Sequence, residues 1–193
     1  MAYGFSDTRL VFNDKQRYRA LQWAYTLSFV AVLKRGTVLG AAVGTLAGGE
    51  LYGAGDHWQL RPGVLWSFTV ARRFLGNRPA VPFLLVAGIF SGSSASTVRD
   101  ADGQRVGLHA FDAKADLSVG WTLGDAWSPY LAVRAFGGPV LWKPDDQARL
   151  GSDLYHVSLA AGFNLNIANR TSVYFDGAFL GMRGMSAGLA VRF

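Results

Sequence analysis

Cysteine is absent from the 193 residues, so neither a disulfide nor a thiolate metal site can organise the chain. No run of about 18 apolar residues occurs either, which excludes a transmembrane helix. The opening residues, Met1 to Asp7, lack the basic, apolar and small-residue order of a signal peptide. The chain is therefore expected to be a mature form with an added methionine or a product made without export. Charge of both signs is sparse, 17% in all, and the net +6 comes from lysines and arginines that stand singly between apolar residues. No basic run or row backs the aromatics, which argues against nucleic acid as a partner. His57, His109 and His156 lie on different segments, so no metal site is expected, and Gly-Ser-Ser-Ala-Ser near residue 95 lacks the spacing of a phosphate loop. No cofactor is expected.

What the chain has is alternation with a period of two. From Leu21 to Leu33 every odd position is apolar, while Gln22, Ala24, Thr26 and Ser28 are small or polar. Arg17, Arg19, Lys34 and Arg35 bracket this stretch, whose length suits a tilted crossing of about 9–11 residues. Trp58, Leu60, Val64, Trp66, Phe68 and Val70 form an even-numbered apolar set opposed by Gln59, Arg61, Ser67 and Thr69. Around Val81 to Phe90 both faces are apolar. Phe111 to Trp121 oppose Asp112, Lys114, Asp116 and Ser118; Leu131, Val133 and Ala135 oppose Tyr130 and Arg134. Further sets begin at Tyr155, Val173 and Ala187, and Thr37 to Ala47 alternates weakly because glycine and alanine fill both faces.

The connections are of two kinds. Those at 34–36, 75–79, 124–127 and 168–170 are short and rich in Gly, Asn, Asp and Pro, as tight hairpins require. Longer polar connections at 91–105 and 142–153, with brief ones at 53–56 and 181–184, alternate with them. One end of the sheet is trimmed and the other elaborated. A soluble barrel would carry charge in quantity on its outer face. Here the polar face holds mostly Gly, Ala, Ser and Thr, while the opposite face is crowded with Trp, Phe, Leu and Val. Bulky apolar residues facing lipid around a narrow polar lumen are the pattern of a membrane barrel. Trp23, Trp58, Trp66, Trp121, Trp127, Trp142 and Tyr155 fall mostly near strand ends, as an interfacial girdle would.

The last eight residues resemble the C-terminal assembly signal of bacterial outer-membrane β-barrels: Ser186, then Gly188, alternating hydrophobics and the terminal aromatic Phe193. Val191 departs from it, since an aromatic is more usual there. By size the chain is similar to the small barrels of the OmpA and OmpX type. The resemblance implies residence in the bacterial outer membrane, contact with its lipid and recognition by the barrel-assembly machinery. One all-β domain over residues 1–193 is expected, a transmembrane antiparallel up-and-down barrel. Ten strands are favoured, because the topology needs an outward strand within residues 2–12, with eight or nine as alternatives.

Two constellations invite chemistry. His156 and Ser158 share a strand face, and Asp176 lies on the next strand. Pairing across the 168–170 turn sets Asp176 opposite Gly162, six residues and roughly 20 Å from the level of His156, too far for a triad. The His-x-Ser spacing also resembles lipid A deacylase barrels, but there those side chains face the lipid, where Val157 stands here. The second group is Asp112, Lys114, Asp116 and Arg134 on one lumen-facing row. Counting across Gly124 to Trp127 sets Phe136 opposite Asp116 and makes Arg134 its diagonal neighbour, an ion-pair network that neutralises buried charge. An acid pair of the omptin-like protease kind lacks the Asp-x-His pair of that family, since Leu154 precedes His156 by two. No catalytic residue is assigned. Three functions stay open: a structural or interaction barrel, with the 91–105 and 142–153 loops as the contact points for a protein partner; a narrow passage or binding site for small solutes; and a lipid hydrolase or protease.

Overall fold

The computed structural model describes residues 1–33, 36–53, 55–75, 81–124, 126–144, 147–168 and 170–191. Within them run β1 (Ala2–Phe12), β2 (Arg17–Val32), β3 (Thr37–Gly53), β4 (Asp56–Leu60), β5 (Gly63–Arg73), β6 (Phe83–Arg99) and β7 (Arg105–Gly120). After these come β8 (Trp127–Gly137), β9 (Val140–Trp142), β10 (Arg149–Asp153), β11 (Val157–Ala168), β12 (Thr171–Ala178) and β13 (Arg183–Val191). Every pairing is antiparallel, and the sheet closes on itself where β1 meets β13 at Ala2↔Gly188 through Asp7↔Arg183.

Three pairs of segments are halves of single, interrupted strands. β4 and β5 both pair with β3 and β6, while β8 and β9 both pair with β7. β10 continues β11. Two of the interruptions contain proline, at Arg61-Pro62 and Gly138-Pro139, where a missing N–H breaks the ladder. At Gly138 the wall comes so close to the neighbouring strand that an added Cβ would collide with the Phe111 carbonyl.

These breaks let the barrel change size along its axis. At the lower end ten strands close the ring: β1, β2, β3, β5, β6, β7, β8, β11, β12 and β13. The β12–β13 hairpin stops part-way up. Above its turn, β10 crosses over and pairs with β1 at Leu10↔Asp153 through Phe12↔Gly151, so eight strands close the upper ring: β1, β2, β3, β4, β6, β7, β9 and β10. The expected ten strands and the expected outward strand within residues 2–12 are both present. The connection expected at 91–105 is mostly wall, because β6 runs on to Arg99 and leaves a turn at 100–104 only. The 142–153 connection likewise shrinks, since β10 occupies Arg149–Asp153.

Side-chain parity follows the sequence on most strands. Leu27, Phe29, Val43, Phe68, Val70, Leu131, Val157 and Leu189 face outward and are exposed, while Ala20, Ala71, Ala87, Ser118, Ala132 and Ala160 face inward and are buried. The exception is β4. Trp58 and Leu60, expected beside Val64 and Trp66 on the outer face, point inward and are buried, because the irregular Arg61-Pro62-Gly63 segment shifts the register against β6 by one residue, from Trp58↔Arg99 to Val64↔Ser94, and β3 matches it with an extra residue at Ala47. Trp142 also leaves the expected girdle for the interior. The hydrophobic core therefore sits inside the upper, eight-stranded ring: Leu10, Phe12, Tyr18, Leu51, Trp58, Leu60, Val106, Leu108, Val140 and Trp142.

Candidate functional site: the lumen

An eight-stranded ring is just wide enough for its side chains to fill, and here aromatics fill it. The Trp142 ring lies 5.0 Å from Trp58, 5.1 Å from Tyr18 and 5.5 Å from Phe12, centroid to centroid. Its Nε1 donates to Thr97 Oγ1 at 3.0 Å, so its one polar atom is satisfied inside the plug. Trp58 and Thr97 are 0% exposed. Above the plug Arg99 lies over Trp58 at 4.6 Å and Arg149 over Trp142 at 5.8 Å. Both arginines also reach acids of the upper turns, Arg99 at Asp102 (3.5 Å) and Arg149 at Asp14 (3.0 Å). The sequence reading missed this plug. Its signal was present in Leu10, Phe12 and Tyr18, which share the inward parity of the polar row.

Below the plug lies the ionic cluster. β7 and β8 set Asp116 directly opposite Arg134, and β8 and β11 set Arg134 opposite Ser158. The expected register, with Phe136 opposite Asp116, is off by one pair: Phe136 stands opposite Lys114. The Leu123↔Trp127 bridge explains the shift, since it centres the turn one residue earlier than a pairing of Asp116 with Phe136 requires. Arg134 Nε lies 3.1 Å from the Asp116 carboxylate. Its Nη1 and Nη2 donate to the two oxygens of Asp176 at 2.7 Å each, a bidentate pair. Tyr130 completes the group by donating from its hydroxyl to Asp176 Oδ2 at 2.6 Å. Asp176, expected only as a further polar lumen residue, is thus the main partner of Arg134. Tyr130 was missed as a member, although its parity put it on the same face.

Lys114 and Asp112 do not join Arg134. They pair with each other at 3.2 Å, and Asp112 also accepts from the Gly137 backbone N–H at 3.0 Å. Asp176 does lie opposite Gly162, as the register predicted. His156, Ser158 and Asp176 are not brought together: both Asp176 oxygens are engaged by Arg134 and Tyr130, and His156 Nδ1 lies 3.2 Å from the Phe136 carbonyl oxygen. Ser158 is 1% exposed and its hydroxyl has no hydrogen-bond partner among the described residues. No metal-ligating cluster occurs among the described residues. Beside the Arg134–Asp176 pair the lumen keeps a cavity of about 270 Å³, lined in part by Ser6, Gln22, Lys114, Arg134, Asp176 and Ser186. Ser186 and Gly188 of the terminal motif face inward on β13, Val191 faces outward, and Phe193 lies outside the described residues.

No family model matches the chain, and no curated protein matches it. Solved structures match over its whole length at low identity. The transport unit of the autotransporter AIDA-I from Escherichia coli aligns with a TM-score of 0.52 and 13% identity, covering 100% of this chain and 88% of that one. The outer-membrane protease OmpT from Escherichia coli aligns with a TM-score of 0.54 and 12% identity, covering 100% of this chain and 96% of that one. The fold is that of outer-membrane β-barrels.

Proposed function

We propose that this chain resides in the bacterial outer membrane as a closed barrel, a structural or interaction element of the envelope that does not conduct. The observation that carries the reading is the apolar plug: an eight-stranded ring filled by Trp58, Trp142, Phe12 and Tyr18, with the buried Thr97 hydroxyl taken up by Trp142, leaves no continuous polar path for an ion. The outward rows of Leu, Phe and Val supply the lipid-facing wall that such residence needs. In planar bilayers the purified protein should give no steady conductance; open-channel steps in the wild type would overturn the closed reading. The turn at 100–104, together with the upper ring and the ends of β9 and β10, forms the surface a protein partner would meet.

Delivery by the barrel-assembly machinery belongs to the same proposal and rests on Ser186, Gly188, Val191 and Phe193. Deleting Phe193 should impair assembly in cells more than refolding in detergent. Equal damage to both would remove the signal reading. A second reading, a binding site for a small polar solute, draws support from the cavity beside Gln22, Lys114 and Arg134.

A further inference from the structure

The step from ten strands to eight leaves a recess on the outside of the wall. Where β10 crosses above the β12–β13 turn, the Leu154 N–H donates to the Arg9 carbonyl at 2.7 Å. The upper ring is thereby set inward over the top of the hairpin. The recess encloses about 420 Å³, with Phe179, Leu180 and Gly181 as its floor and Tyr155 on one side. Phe179 and Leu180 are about half exposed.

The walls of the recess are charged, and the charges do not balance. β1 and β2 place Arg9 directly opposite Arg19 on the outer face. Like charges in that position repel, so the pair is unfavourable unless an anion lies between them. One carboxylate is at hand: Asp7 accepts from Arg19 Nε at 2.9 Å and from Nη2 at 2.7 Å, which engages both of its oxygens. Arg183 stands opposite Asp7 on β13. Three guanidinium groups thus share one carboxylate already in a bidentate pair, a local charge of +2. Arg9 and Arg183 feel the Asp7 carboxylate only at longer range, and neither makes an ion pair among the described residues.

The height of the recess identifies what fills it. On β2 the outward residues from Leu21 to Ala31 are apolar and span about 25 Å along the axis, at about 3.3 Å per residue and about 40° of tilt. Arg19 begins the next level up, where a bilayer's headgroups lie. On the neighbouring strands the change from apolar to charged comes between Phe5 and Asp7 and between Met185 and Arg183, one same-face pair from that level, since Asp7 stands opposite Leu21. A site with arginines at headgroup height and an apolar floor matches a molecule with a phosphate at one end and acyl chains at the other.

We propose that this recess is a lipid site, in which Arg9 and Arg183 hold the phosphate of an anionic membrane lipid whose acyl chains lie against Phe179 and Leu180. An acidic protein segment would satisfy the arginines but would leave the apolar floor, at the edge of the lipid belt, without a complementary surface.

The test is native mass spectrometry of the full chain in detergent with phosphatidic acid, with diacylglycerol, and with inorganic phosphate. One phosphatidic acid per barrel should be retained at least tenfold more strongly than diacylglycerol, and millimolar phosphate should not displace it. Arg9→Ala with Arg183→Ala should cut that retention at least tenfold, while Arg72→Ala, near the opposite end of the wall, should leave it unchanged. Single Arg9→Gln and Arg183→Gln changes, checked for folding by heat-modifiable migration, should each cut it several-fold. Unchanged retention in these variants, equal retention of diacylglycerol, or ready displacement by free phosphate would each overturn the lipid assignment. Binding of an acidic peptide in place of the lipid would do the same.

Discussion

Arg134 is the residue on which the buried polar chemistry turns. It engages Asp116 through Nε and Asp176 through both terminal nitrogens, and each of the three side chains is about 15% exposed or less. Removing one partner of such a group strands the other charges, a cost of about 3–5 kcal/mol, whereas removing both partners costs less than the sum. Arg134→Ala should therefore lower the unfolding midpoint in urea more than Tyr130→Phe, which deletes one hydrogen bond to a charged group worth about 1.5–3 kcal/mol. In the double-mutant cycle Asp176 should couple to Arg134 more strongly than Asp116 does, because its pairing is bidentate. Strict additivity for Asp176 with Arg134 would show that the cluster does not act as a unit. At this scale the sequence identified most members by parity alone: Asp116, Arg134 and Asp176 all fall on the polar row. It could not choose their partners, because the β7–β8 register depends on which residue centres the 123–127 turn, and a one-pair error exchanges Phe136 for Arg134.

Among the elements, the interrupted strand formed by β4 and β5 is the most informative. Period-two reading carries an assignment forward only while the pleat is unbroken. Across Arg61-Pro62-Gly63 the even positions change sides, so Trp58 is plug and Trp66 is wall. Gly63 sits where an added Cβ would strike the Ser94 carbonyl and the Ala95 side chain, which fixes the geometry of the shift. Pro62 is visible in the sequence, but nothing local states whether the odd residue is absorbed before or after it. Variants keeping a single tryptophan separate the two faces directly: brominated acyl chains should quench Trp66 fluorescence and spare Trp58. Quenching of Trp58 would place β4 the other way round. Correspondingly, Trp58→Ala should cost about 3–5 kcal/mol as a core cavity, and Phe68→Arg about 2–4 kcal/mol as a charge in lipid.

For the whole molecule, alternation and turn chemistry sufficed to indicate a membrane barrel of about ten strands, because lipid imposes one rule on every residue of the outer face. The taper was not legible. It arises from the short β12–β13 hairpin and from two proline-containing breaks, and their joint effect depends on which strands become neighbours above the hairpin. That arrangement makes β1 the edge at which both rings join, to β13 below and to β10 above. The contacts across this seam are among the most distant in sequence: Thr8 donates to Asp153 across 145 positions, and the amino group of Met1 donates to the Leu189 carbonyl across 188. Loop-closure entropy must be met before such contacts contribute anything, which slows folding. Shutting the wall and capping the plug both require β1 to meet strands from the far end of the sequence, β13 for the one and β10 for the other.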